Sequence, residues 1–172
     1  QKYPAEYPLE GLPIEQAGEA IALEERNRLG LGDGPIPILR DILEQDVGLR
    51  IFSIPLPSTF SAMYFYSDQL GGCIAINSSH PEDRRRWSLA HDYFHFLAHR
   101  EKPSVFVEGV YQRVPESERV ADAFARYFLM PTSGLTRRFS NIRRPKTTVT
   151  FADLCMLAHY YGVSVAALTL RL

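Results

Sequence analysis

Leu89-Ala90-His91-Asp92-Tyr93-Phe94-His95-Phe96-Leu97 is the stretch on which the reading of this sequence turns. His91 and His95 stand four residues apart. On a helix that spacing stacks both imidazoles on one face, about one turn apart. Two ring nitrogens so placed can share one tetrahedral ion. The pattern is His-Glu-x-x-His with Asp92 in the place of the glutamate. In such a pattern the acid after the first histidine is the general base, taking the proton of a water whose pKa the metal lowers. A histidine pair at this spacing also occurs as a satisfied core pair. The string therefore needs support from elsewhere in the chain.

That support comes from a second helix, predicted over residues 116–129 and stopped by Pro131. Glu118 opens it, and Ala121, Asp122, Phe124 and Ala125 follow. Glu118 and Asp122 share a face at i and i+4. Glu118 is the best candidate for a third ligand, and Asp122 for a carboxylate that accepts the free ring N–H of a ligand histidine and so orients the ring. Zinc is the expected ion, with Mn2+ as the alternative. His99 is a rival ligand, but it lies about 12 Å from His91 along the axis by helical rise. It reads instead as a helix-end residue favoured by the C-terminal dipole.

Working outward, the metal-binding helix is predicted over residues 84–99. Strands are predicted at 49–56, 62–66 and 73–77, the last two joined as a hairpin through Gly71 and Gly72. The strand at 73–77 reads either as the edge that pairs with a substrate backbone or as an ordinary sheet strand. Helices are predicted at 13–29 and 38–46, and a final pair at 151–161 and 165–170 turns around Gly162. Residues 132–148 read as a polar, basic loop. Helices, then a small sheet, then helices make an α+β arrangement. It is a small mixed or antiparallel three-stranded sheet packed on the metal-binding helix, with further helices at both ends. Pro4, Pro8, Gly11 and Pro13 mark residues 1–13 as an extended arm or linker, leaving 14–172 as one domain.

The 172 residues are 45% apolar and 23% charged, with a formal net charge of −1. That is ordinary for a folded domain and excludes a global basic field for nucleic acid. No apolar run nears the length of a membrane span, and no signal pattern opens the chain, so a cytoplasmic location is expected. Cys73 and Cys155 form no CxxC pair and read as free thiols. Arg84, Arg85 and Arg86 read as a solvated face pairing with Glu82 and Asp83. Arg137, Arg138, Arg143, Arg144 and Lys146 read as another solvated face. The apolar last helix (Val165, Ala166, Ala167, Leu168, Leu170) reads as a packing helix, not a DNA-reading one. His159, Tyr160 and Tyr161 are candidates for an oxyanion donor if the C-terminal helix folds over the cleft.

At this point the sequence resembles the ImmA/IrrE family of metallopeptidases, a gluzincin-like group. The likeness runs through Pro35-Ile36, Ile74-Ala75-Ile76-Asn77 and Arg85-Arg86-Trp87-Ser88-Leu89-Ala90-His91 on to His95 and His99. It continues in Glu118-Arg119-Val120-Ala121-Asp122-Ala123-Phe124-Ala125, Phe128-Leu129-Met130-Pro131, Gly162-Val163-Ser164 and Arg171-Leu172. The resemblance implies a zincin-like core with ligands matching His91, His95 and Glu118. It also implies a role in transcription regulation and stress response, with a helix-turn-helix repressor as protein substrate. Many such domains are fused behind an Xre-type DNA-binding domain, and the start at Gln1 fits an excerpt of such a fusion. Two residues depart from the family: Asp92 stands where Glu is usual, and Phe94 where Gly is common. The shorter arm of Asp92 keeps a second function open, a catalytically weak or inactive metal-binding sensor that regulates a fused or partner DNA-binding protein.

Overall fold

The computed structural model describes residues 7, 11–107, 115–143 and 148–172. Most of the arm expected at 1–13, and Arg144 and Lys146 of the basic stretch, lie outside them. Helix α1 (Ile14–Arg28) comes first. Next is a short α2 (Leu39–Ile42), which widens into a π-helical turn at Leu43–Val47 and ends at Gly48 with φ +85°. Four strands follow the expected helix breaks: β1 (Arg50–Ile54), β2 (Phe60–Ser67), β3 (Gly71–Asn77) and, after the central helix, β4 (Ser104–Val107). The helices α3 (Glu82–Ala98), α4 (Glu116–Leu129), α5 (Thr132–Arg143), α6 (Phe151–Tyr161) and α7 (Val165–Arg171) complete the chain.

The sheet runs β1-β3-β2-β4 and is mixed. β1 pairs parallel with β3, and β2 pairs antiparallel with both β3 and β4. β3 is therefore interior, and its residues from Gly72 to Asn77 are buried. This settles the choice left open for residues 73–77: they form an ordinary sheet strand, and the edges are β1 and β4. The fourth strand was not expected, because four residues after Pro103 are too short to show alternation.

Within the stretch expected as a loop, residues 132–143 form a helix. Pro131 ends α4, and α5 begins directly after it. Leu135, Phe139 and Ile142 repeat at helical spacing and pack against the core, a stripe hidden among arginines. Arg137 forms an ion pair with Asp33 at 2.7 Å, and Arg138 lies over the Tyr160 ring. Helices α6 and α7 meet at 98° around Gly162, whose φ is +64°. No single described helix is long and apolar enough to cross a membrane.

Helix α3 is the axis of the fold. Glu82 and Asp83 in its first turn complement the dipole. From Ser88 to Ala98 every residue is buried. A helix enclosed on all sides needs cover on all sides. β2 and β3 supply one side and α4 another. The Tyr93 hydroxyl donates to the buried Glu25 carboxylate of α1, which also pairs with Arg28. Arg86 is no solvated residue: its guanidinium donates to the carbonyls of Ile36 and Gly162, at 2.7 and 3.1 Å, and ties α3 to both ends of the chain.

Helix α1 lies close on α4. A Cβ at Gly18 would stand 2.6 Å from Ala123 Cβ and 2.7 Å from the Phe124 backbone nitrogen. In an open helix Gly→Ala stabilises by about 0.8–1 kcal/mol. Here the sign should reverse, since backbone cannot give way as a side-chain tip can. Gly18→Ala is expected to cost about 1–3 kcal/mol, or roughly 2–12 °C in Tm for a chain of this length, read by thermal denaturation. A higher Tm would show that the α1–α4 contact is looser than described.

Candidate metal centre

The sequence-predicted residues come together at one point. His91 and His95 lie on α3 with ring centroids 5.2 Å apart and Nε2 atoms 3.3 Å apart. Glu118, in the first turn of α4, reaches both: Oε2 is 3.0 Å from His91 Nε2, and Oε1 is 3.3 Å from His95 Nε2. Asp122, one turn further along α4, accepts a hydrogen bond from His91 Nδ1 at 2.9 Å. That bond assigns the proton of His91 to Nδ1 and leaves Nε2 aimed at His95 and Glu118.

The donor set suits a divalent cation. A tetrahedral site with bonds of about 2.0–2.1 Å has ligand–ligand edges of roughly 3.3–3.4 Å; the Nε2 pair at 3.3 Å matches that spacing, and Glu118 approaches the pair through its two oxygens at 3.0 and 3.3 Å. The electrostatics agree. Burial works against a charge on His91, but the bonds to Asp122 and Glu118 and the nearby Asp92 outweigh it and push the imidazole up to about 10. Burial would raise Glu118, yet its bonds with His91 and His95 hold it well below the usual carboxylate range. Positive charge is favoured where these groups meet.

Two carboxylates compete for the third position. Asp92 has its ligand atom within 4.8 Å of those of both histidines. Glu118 is nearer, contacts both Nε2 atoms and is the better candidate on geometry. Asp92 is 0% exposed, and neither of its oxygens has a hydrogen-bond partner among the described residues. Burial, with the charge of Glu118, outweighs the pull of His91 and pushes its carboxyl up to about 7. A buried acid poised near neutrality beside two converging histidines is placed for proton transfer.

Other expected residues lie elsewhere. His99 caps the C-terminus of α3, its N–H bonded to the His95 carbonyl, and its ring contacts His95 and Phe94. Phe94 is 0% exposed and packs on Phe124, so it fills core. His159, Tyr160 and Tyr161 line a separate hollow of about 370 Å³ with Arg86 and Glu82. Arg86 stands five residues before His91, about 7.5 Å by helical rise, so these three do not support an oxyanion role. The Tyr93–Glu25 anchor went unforeseen: its partners are 68 residues apart and carry no local pattern.

A small mixed sheet, a buried helix with a histidine pair, and a glutamate from the next helix define a zincin-like metallopeptidase fold. The chain belongs to the peptidase M78 family, the IrrE N-terminal-like domains, whose model matches residues 44–172. Its fold is also similar to that of a Mycobacterium tuberculosis transcriptional regulator, with a TM-score of 0.58 and 16% identity over 93% of this chain and 52% of that one. The chain thus spans about half of that regulator's length. It matches no curated protein.

Proposed function

We propose that this domain is a zinc-dependent endopeptidase that cuts a protein partner, a helix-turn-helix transcriptional repressor. The observation that carries the reading is the convergence of two Nε2 atoms 3.3 Å apart on a carboxylate that reaches both. His91, His95 and Glu118 would hold the ion, which as a Lewis acid polarises the scissile carbonyl and acidifies the attacking water. Asp92 accepts the proton of that water at a carboxylate oxygen and passes it to the departing amine nitrogen as the C–N bond breaks. Asp122 holds the His91 ring through Nδ1. Mn2+ is the alternative ion. The regulatory part of the proposal takes its support from family membership and from the likeness to a transcriptional regulator.

A second reading rests on Asp92. Its carboxylate sits one methylene, roughly 1.5 Å, short of the reach a glutamate would have. The domain would then bind metal and a partner without cutting, and regulate a fused or partner DNA-binding protein. To separate the two, the zinc-loaded protein, Asp92→Glu and Glu118→Gln are each incubated with an extract of the source cells, and new N-termini are read by mass spectrometry. The peptidase reading expects new termini concentrated in helix-turn-helix regulators, and none with Glu118→Gln. Cleavage by Asp92→Glu alone would establish the sensor reading. No cleavage by any form would sink the peptidase reading.

A further inference from the structure

Helix α6 exposes apolar side chains where a surface helix carries charge. Its exposed residues are Phe151, Ala152, Met156, His159 and Tyr160, with no acid, lysine or arginine among them. Phe151 is 72% and Met156 61% exposed. The one acid of the helix, Asp153, is buried and bound to Thr150 as the cap. A contiguous apolar face of this kind marks an interface. Beside it, between α5 and α6, runs a groove of about 350 Å³. Arg138, Asn141 and Ile142 of α5 face Met156, Leu157 and Tyr160 of α6 across it. Leu157 is buried and Ile142 half-buried, so the floor is apolar. The rims differ: Met156 and Tyr160 stand on one side, Arg138 and Asn141 on the other.

The charge around the groove has one sign. Residues 132–172 contain Arg137, Arg138, Arg143, Arg144, Lys146 and Arg171, and Asp153 as the one acid, in a chain whose net charge is −1. Arg137 is neutralised by Asp33. Arg138 lies over the Tyr160 ring, and no described carboxylate compensates its charge. Arg143 is exposed and forms no ion pair with a described residue. We propose that the α5–α6 groove docks an amphipathic helix of a protein partner, its apolar residues seated on Ile142, Met156 and Leu157 and its acidic residues facing Arg138 and Arg143. A nucleic-acid backbone would use the cations and leave the apolar floor without a partner. A lipid surface would not enter a concave groove. No lining residue belongs to α3 or α4, so the docking surface does not depend on the metal centre or on the peptidase reading.

Three labelled peptides of about 16 residues, long enough to form a helix, are titrated into the full chain and followed by fluorescence anisotropy. The first has leucines at i, i+4, i+7 and i+11 with glutamates between them. The second has lysines for the glutamates, and the third serines for the leucines. The first is expected to bind about tenfold tighter or more than either of the others, and to weaken in about 1 M salt. Met156→Asp and Arg143→Glu, both at exposed positions, should each weaken it by about tenfold, with Tm and zinc uptake unchanged. No binding of the first peptide, equal binding of the first and second, or binding that survives both substitutions would overturn the proposal. The same proteins are tested against phosphatidylserine vesicles and duplex DNA, and the chain alone is sedimented. Tighter binding to vesicles or DNA than to the first peptide, or a dimer that Met156→Asp dissociates, would also overturn it and give the surface to a membrane, a nucleic acid or a second copy of the chain.

Discussion

His95→Ala is expected to abolish stoichiometric metal binding. The zinc-loaded protein should carry about one ion per chain, measured by elemental analysis after gel filtration, and the variant close to none. Glu118→Gln should behave the same way, because it keeps the shape of the side chain and removes the negative charge that faces both Nε2 atoms. Asp122→Ala leaves every candidate ligand in place and only frees the His91 ring. Its affinity should fall by the smaller factor of about 10–100 typical of a lost supporting bond. Asp92→Asn should keep its metal. The four variants together decide which carboxylate completes the site: retention by Glu118→Gln with loss in Asp92→Asn would hand the third position to Asp92. Thermal melting gives an independent reading. Zinc at about 100 times its Kd adds roughly 2.7 kcal/mol to the unsubstituted protein, several degrees in Tm for a chain of this size, and His95→Ala should show no such shift. A protein that takes up no metal after loading would remove the basis of the centre.

The parts of this arrangement that could be read in advance are the local ones. The spacing of His91 and His95, and of Glu118 and Asp122, is a property of one helix each. The pairing of the two helices followed because a lone histidine pair lacks a third ligand. The structure brings all four side chains to one point. Helix ends marked by Pro13, Gly48, Pro131 and Gly162 were legible for the same reason, since backbone chemistry acts within a few residues. What escaped notice depends on distant contacts or on short patterns. β4 has four residues and owes its existence to pairing with β2. Helix α5 was masked by arginines whose charges are engaged with Asp33 and Tyr160. The role of Arg86 is to bind two backbone carbonyls, 50 and 76 residues away in sequence. No pattern around Arg86 distinguishes that from a solvated charge.

Asp92→Asn is expected to lower the cleavage rate by about 10²–10⁴-fold, the range for loss of a general base, while the protein keeps its metal and its Tm stays level or rises. Loss of rate and gain of stability have one cause. Asp92 is fully buried, and neither oxygen is hydrogen-bonded among the described residues. A carboxylate held in this way destabilises the fold, and an amide of the same shape removes the charge. A residue kept solely for packing would not be an acid here. Asp92→Glu tests the geometry from the other side. It adds one methylene where 0% of the side chain is exposed, which should cost about 1–3 kcal/mol through overpacking. The longer arm displaces the carboxylate, and a change of about 1 Å in position can alter a rate about 100-fold. The expected result is therefore opposite for the two variants, with Asp92→Asn at least as stable as the parent and catalytically impaired, and Asp92→Glu less stable and still able to cut. Rates are to be measured on a peptide spanning a cut site found in the cell extract, beside melting curves of the same preparations. If Asp92→Asn cuts as fast as the parent, Asp92 is not the base, and the proton must leave through another group at the centre, Glu118 being the nearest acid to both Nε2 atoms.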